Sequence, residues 1–257
     1  MKHRPHVALI PVALALTCWL AAAPVRAASI TLSTTVRDFT PGTNADFERY
    51  GGDDRGIVQT TLGADGKPIY SGGSHPTITS ATTFNQWYNN TASVNIAIAS
   101  SITLNETAPG SGIYQYSSSA YFPVDGQGFG NYGSTGHNFH FTTEIHTLFT
   151  YQLGQNFSFT GDDDVFVFIN DQLAIDLGGV HAAETGSVNL NTLGLIAGSD
   201  YKLDVFQAER HTSASTFAMQ TSGLVLRSSD APEPGSLALV GLGLLAAGAS
   251  RLRRRGA

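Results

Sequence analysis

The stretch FTGDDDVFVFIND (Phe159–Asp171) narrows what this chain can fold into. Its five apolar residues, Val165–Ile169, are β-branched or aromatic, and the run is closed by Asn170-Asp171. A short run of this kind is a buried strand that ends in a tight turn. Directly ahead of it stand three carboxylates, Asp162, Asp163 and Asp164. Adjacent carboxylates repel, and a charge held near a dry core costs free energy unless something positive meets it. Two arrangements satisfy that requirement: a solvated loop, or a loop closed on a hard cation.

The rest of the body has the same texture. Charged residues make up only 13% of the 257-residue chain, and glycine is frequent at 28 positions. ITLSTTVRDF and SVNIAIASSITL alternate, and ADGKPIY has a hairpin centred on Asp65-Gly66. In HNFHFTTEIHTLFTYQ, Phe139, Phe141, Ile145, Phe149 and Tyr151 share one face, with His140, Glu144 and His146 on the other. VFVFI, LAIDL, SVNL, YKLDVF and TFAMQTSGLVL follow. Ten or so strands and no amphipathic helix predict an all-β fold, an antiparallel β-sandwich or barrel. No linker divides it.

Both ends read differently. MKHRPHVALIPVALALTCWLAAAPVRA has a basic start, an apolar centre and a small-residue pattern, Val25-Arg26-Ala27, so residues 1–27 are expected to be a signal peptide. The sole cysteine, Cys18, lies inside it, and the exported body is expected to be cysteine-free and stabilised by packing or metal instead of disulfides. Residues 229–257 run from Pro232-Glu233-Pro234 through an apolar stretch, Gly235–Ser250, to Arg251, Arg253, Arg254 and Arg255. As a helix that stretch is about 24 Å long, slightly short of a bilayer core of about 30 Å, with its basic end cytoplasmic. The segment resembles the PEP-CTERM sorting signal. That resemblance implies recognition by an exosortase-type membrane enzyme in a Gram-negative bacterium that makes exopolysaccharide. The body would then be left at the cell surface or in the extracellular matrix.

Charge agrees with export. Between Ala28 and Glu233 lie seven basic residues and all 20 acidic residues, a formal balance of −13. Such a surface disfavours nucleic acid and suits divalent cations.

TVRDF, FNQWY, FPVDGQGFG, HNFHFTTEIHTLFTY, FTGDDDVFVFIN, DLGGVH and QAERHT, in that order, resemble a bacterial fibro-slime domain over Ser29–Leu226, within a domain of residues 28–228. That family belongs to the protective-antigen-type β-barrel superfamily of adhesins, toxins and glycosidase accessory modules. In its lectins a cis-linked Asp-Asp pair ahead of a hydrophobic strand binds Ca²⁺, and the ion binds sugar hydroxyls. The matching residues are Asp162 and Asp163, with Asp164 where the superfamily often has glycine. A late loop supplies an Asn in those lectins. The corresponding ERHTSASTF (Glu209–Phe217) has none, and Thr216 stands in the expected place, which leaves Glu209 or Asp164 to compensate. By the same resemblance His181, His211, Ser213 and Ser215 flank the sugar.

Other side chains keep two readings. His140, Glu144 and His146 form either a polar strand face or, with a loop ligand, part of a transition-metal site; His140 and Glu144 alone are about 13 Å apart on a strand and cannot chelate one ion. Trp87 and Tyr88 belong to the core or stack on a sugar, and Asp53-Asp54 is a turn beside Arg55 or a second cation site. No HExxH, GxSxG or phosphate-binding glycine motif is present. The sequence therefore reads as a non-enzymatic, exported carbohydrate-binding or adhesion module that uses Ca²⁺ and takes an extracellular polysaccharide or glycan as partner. The alternatives are a structural matrix protein and, behind it, a glycosidase.

Overall fold

The computed structural model describes residues 27–49 and 51–222, and the backbone of 225–227. The expected signal peptide, apart from Ala27, and the expected sorting tail with its apolar stretch lie outside the described residues. Among the described residues no helix is long and apolar enough to cross a membrane.

In chain order the elements are β1 (Ser29–Asp38), β2 (Gly52–Asp53), β3 (Val58–Leu62), β4 (Pro68–Tyr70), α1 (Ala81–Asn85), β5 (Ile96–Glu106), β6 (Ile113–Ser118) and β7 (Phe141–Thr150). They continue with β8 (Asn156–Gly161), β9 (Asp164–Ile169), β10 (Gln172–Leu177), β11 (Gly179–Val180), β12 (Glu184–Asn189), β13 (Asp200–Glu209), β14 (Phe217–Ser222) and β15 (Val225–Arg227). One antiparallel sheet runs β12-β8-β14-β6-β5-β1-β7-β13-β9-β10-β3-β4, with β15 beside the end of β7. The sheet curls until its first strand meets its tenth. Gly186 of β12 sits so close to β10 that an added Cβ would fall 2.4 Å from Ile175 Cγ2. The fold is therefore the expected all-β one.

Strand β9 is the centre of this arrangement, paired with β13 on one side and β10 on the other. Its alternate residues enter two different cores. Val165, Val167 and Ile169 point inside the curl with Phe141, Ile145, Phe157 and Val205. Phe166 and Phe168 point outside, where Phe39, Phe47, Phe84, Trp87 and Tyr88 cover them. Burial on both faces explains why the run is apolar throughout instead of alternating. Asn170 and Asp171 take positive φ, +52° and +62°, as a two-residue hairpin turn requires, and both residue types tolerate that region.

The outer core is roofed by the long excursion between β1 and β5. Its one helix, α1, is a single turn, and its polar sequence gives no apolar periodicity to read. It forms because Ser80 Oγ accepts the Thr83 N–H while Thr83 Oγ1 accepts the Ser80 N–H, the reciprocal capping arrangement. Trp87 and Tyr88 are core residues, 0% and 1% exposed.

A buried ion pair fastens this roof to the sheet. Arg210, just past β13, donates from Nε to Asp164 Oδ2 at 2.6 Å, with both side chains fully buried. Its Nη1 donates to the carbonyls of Asp46 (3.1 Å) and Thr77 (2.8 Å), and its guanidinium lies 4.6 Å from the Trp87 ring centroid. Replacing Arg210 with Met keeps the volume but leaves the Asp164 carboxylate buried without its cation. Arg210→Met is expected to cost about 3–5 kcal/mol, read as a lowered urea midpoint. An unchanged midpoint would mean the pair is not holding the roof.

Candidate cation and glycan site

At the mouth of the curl the acidic run meets the end of β13. The Asp162–Asp163 peptide is cis. Asp162 is anchored through its backbone: its N–H donates to Thr216 O (3.4 Å) and its carbonyl accepts Gln207 Nε2 (2.8 Å). One of its carboxylate oxygens, Oδ1, accepts the Thr216 N–H. The Asp163 N–H donates to Ala208 O (3.0 Å), and Asp163 Oδ2 accepts the Arg210 N–H at 2.9 Å. Glu209 continues the inward row of Leu203 and Val205 on β13, two residues per repeat. It is fully buried, and neither Oε1 nor Oε2 accepts a well-formed hydrogen bond, although the Ser215 side chain and the His211 backbone still favour its charged form. The nearby Ser215 hydroxyl donates to Tyr121 O at 2.6 Å.

The electrostatics follow from burial. Desolvation pushes the Asp163 carboxyl up to about 8, with Arg210 opposing and the charges of Asp164 and Asp162 adding. Burial likewise drives Glu209 well above the usual carboxylate range, reinforced by the charges of Asp163 and Asp162. Asp162 is raised by burial against the Thr216 hydrogen bonds. Three acids thus share a region with too little positive charge.

Asp164 faces the other way. Its Oδ1 accepts the Gly179 N–H (2.7 Å) and its Oδ2 accepts Arg210, so both oxygens serve the outer core and it stands apart from this acidic set. A cleft of about 360 Å³ opens above Asp162 and Asp163, walled by His181, Ser213 and Thr216. Two of the four expected sugar-flanking residues, His181 and Ser213, therefore line it. Ser215 is buried beneath, and His211 turns aside to Glu48, Nε2 to Oε2 at 3.5 Å. Among the described residues no three His, Cys, Asp or Glu side chains stand together at metal-binding spacing. What suits a hard cation is the chemistry of the donors, oxygen-only and anionic, with the Glu209 carboxylate in no well-formed hydrogen bond.

Sequence reasoning missed Arg210 and Gln207. Arg210 has a local signal, because it follows Glu209 directly and the acidic run needs a counterion. Gln207 has none, since its role is to hold a backbone carbonyl.

The second histidine-bearing face is an ion-pair network. Glu144 Oε2 accepts from Arg37 Nη1 at 2.6 Å, and Oε1 meets both Lys67 Nζ and His146 Nε2. His146 Nδ1 pairs with Asp204 Oδ1 at 2.5 Å, while His140 turns to Glu48 at 2.9 Å. Arg37, Lys67 and His146 between them engage both Glu144 oxygens, so neither is left open to a metal.

A model of the PA14 domain matches residues 130–236, and the PEP-CTERM protein-sorting motif matches residues 230–255. The sorting motif marks an exported protein of a bacterial surface. Protein psiQ of Dictyostelium discoideum is 42% identical over 208 residues, which are 76% of this chain and 21% of that protein. Protein psiD of the same organism is 44% identical over 213 residues, 76% of this chain and 41% of that protein. The chain thus spans about a fifth to two fifths of these relatives. Among solved structures, the PA14 domain of the MpAFP antifreeze protein aligns over 78% of this chain and 92% of its own, with 12% identity and a TM-score of 0.34. A PA14 sugar-binding domain from an RTX adhesin aligns over 79% and 96%, with 11% identity and a TM-score of 0.29. The chain carries a PA14 domain match that includes the acidic run, and a PEP-CTERM motif behind it.

The ion-pair network predicts a pH dependence. Burial opposes the charge on His146, but its bonds to Asp204 and Glu144 win and hold it at about 9. Its stabilisation is therefore complete below about pH 6.5, the unfolded value, and fades as pH rises towards 9. Burial also opposes the charge on Glu144, but His146, Lys67 and Arg37 hold it at about 2, so its share is present above about pH 4.5 and fades in acid. The His146 side chain is 46% exposed, and solvent screening limits its share to about 1 kcal/mol, roughly 2–4 °C in Tm. Calorimetry between pH 6 and 9.5 should show wild type losing about 2–4 °C more than His146→Gln. Parallel pH profiles would remove the network from the stability account.

Proposed function

We propose that the chain is an exported surface adhesion module that binds carbohydrate through a calcium ion, which would draw Asp162, Asp163 and Glu209 closer than they stand in this structure. The supporting observation is Glu209: a fully buried carboxylate, close to the charges of Asp163 and Asp162, with neither oxygen in a well-formed hydrogen bond. An acid so placed is either protonated or matched by a cation, and an oxygen-only, anionic donor set suits Ca²⁺. Glu209 takes the part that the absent loop Asn would have played. Bound calcium would supply an electrophilic seat for a pair of sugar hydroxyls. Thr216 and Gln207 hold Asp162 in place, the Arg210 N–H orients Asp163, and His181 and Ser213 offer polar contacts along the cleft.

In this reading residues 28–228 form the functional domain, of the fibro-slime kind. Residues 1–27 export it, and residues 229–257 pass it to an exosortase-type enzyme, leaving it with the exopolysaccharide outside the cell. The sorting motif supports export to the surface.

The test is calorimetric titration of the EDTA-stripped full-length protein with CaCl₂. Binding is expected at about 10⁻⁴–10⁻³ M, the range of extracellular modules. Glu209→Gln should abolish it while raising the metal-free melting temperature, because the neutral amide relieves a buried charge and can donate to its acidic neighbours. If Glu209→Gln binds calcium as wild type does, Glu209 is not a ligand. If wild type binds none, the calcium reading fails.

A further inference from the structure

A separate group of side chains stands in hydrogen-bonding order on the excursion between β1 and β5. His75 Nδ1 lies 2.6 Å from Asp54 Oδ1, and His75 Nε2 lies 3.3 Å from Ser71 Oγ. Asp54 is buried, and its second oxygen accepts the Thr77 N–H (3.1 Å) and hydroxyl (2.8 Å). Thr77 is itself fixed by the core, since its carbonyl accepts Arg210 Nη1 at 2.8 Å. The Asp54 N–H is tied to Gly178 O at 2.9 Å. The order therefore runs from a locked carboxylate, through a half-buried imidazole, to an exposed hydroxyl. None of the three residues carries a recognisable motif in sequence.

We propose that Ser71, His75 and Asp54 form an acyl-transfer centre whose substrate is an ester of a short carboxylic acid. The roles follow from position. Asp54 accepts the Nδ1–H of His75, which fixes the tautomer that presents the Nε2 lone pair to Ser71. The Ser71 hydroxyl donates to Gly56 O at 2.5 Å in this structure, and rotation of the O–H alone redirects the proton to Nε2. A spacing of 3.3 Å is loose, as such contacts are before substrate tightens them.

The surroundings admit a substrate. Gly72 and Gly73, directly after the serine, take φ of +82° and +87°, and a Cβ on either would meet nothing within 4 Å, so the approach is open. Their N–H groups donate to no backbone acceptor among the described residues and lie next to the nucleophile, where an oxyanion would develop. A cleft of about 390 Å³ opens at Gly73 and His75, one residue beyond Gly72, and is lined also by Arg49, Tyr70, Ser74 and Ser80. That volume takes a small acyl or alcohol group.

The reaction balances with water alone. Ser71 Oγ attacks the ester carbonyl carbon and forms the C–O bond as its proton passes to His75 Nε2. The tetrahedral oxyanion collapses, the bond to the alcohol oxygen breaks, and that oxygen takes the proton from Nε2. Water then gives a proton to Nε2, attacks the acyl carbon, and releases the acid as Ser71 recovers its proton. Asp54 stabilises the imidazolium in both halves.

These residues are not part of the proposed cation site, so either reading can fail alone. The experiment treats full-length protein in EDTA with a fluorophosphonate probe and locates the adduct by peptide mass spectrometry. In parallel, p-nitrophenyl acetate hydrolysis is measured. An adduct on Ser71 is expected, with both rates falling about 10²-fold or more in His75→Gln and both signals absent in Ser71→Ala. Ser71 is exposed, so the melting temperature of that variant should hold. No Ser71 adduct in wild type overturns the proposal, whether or not His75→Gln folds. So does labelling that His75→Gln leaves undiminished, which would make the three residues a loop staple.

Discussion

The interaction on which the rest depends is the contact between Arg210 and Asp164. One guanidinium joins the start of the central strand, the loop at Asp46, the carbonyl of Thr77 and the face of Trp87. Its backbone takes part as well, with the Arg210 carbonyl accepting the Glu48 N–H at 2.8 Å and its N–H reaching Asp163. Burying two opposite charges is close to neutral when their geometry is good, so the pair adds little net stability. It makes any other placement of these segments expensive, because either charge alone would be stranded. Arg210 Nη2 has no acceptor, which fits a residue held for position over full satisfaction.

That pairing also divides the acidic run. Successive residues near a strand face opposite ways, so three adjacent carboxylates cannot all meet one cation of the chain. Asp164, in step with Phe166 and Phe168, falls on the outer face and receives Arg210. Asp162, Asp163 and Glu209 gather at the inner mouth, where backbone N–H groups and the charge of Arg210 offset only part of their desolvation. The surplus of negative charge there arises because Asp164, on the outer face, takes the Arg210 guanidinium.

Much of this was legible in sequence, for physical reasons. Val165–Ile169 was readable because a strand buried on both faces must be continuously apolar, and Asn170-Asp171 because few residues accept positive φ. The hairpin at Asp65-Gly66 carried its own turn chemistry, with the Gly63 N–H closing on Lys67 O at 2.8 Å. Where contacts are long-range the signal disappeared. Nothing near Glu144 in sequence announces Arg37 or Lys67, more than seventy residues away. The helix α1 was invisible because capping, with no apolar stripe, defines it. Within the site, Asp162 and Asp163 were visible as a charge anomaly. The isolation of Glu209 and the diversion of Asp164, Ser215 and His211 depend on how loops fold back, which local pattern does not encode.

The excursion between β1 and β5 shows what such long-range contacts accomplish. Its own elements are too short to be stable alone, since two- to five-residue strands and one helical turn bury little by themselves. No cysteine occurs after Cys18, so disulfides cannot hold it. It is held by its aromatic underside, by Arg210 at one point, by Lys67 reaching the buried Glu144 at another, and by Asn90 Oδ1, which accepts Arg37 Nε of β1 at 2.9 Å. Ion pairs that reach a buried carboxylate resist screening better than surface pairs, and they fix direction as well as distance. The excursion therefore sits on the sheet in one register, with Asp54 and Thr77 buried, hydrogen-bonded to one another, and tied to Arg210 through the Thr77 carbonyl. A segment with so little secondary structure can carry a geometrically ordered set of polar side chains because its anchors lie in the sheet.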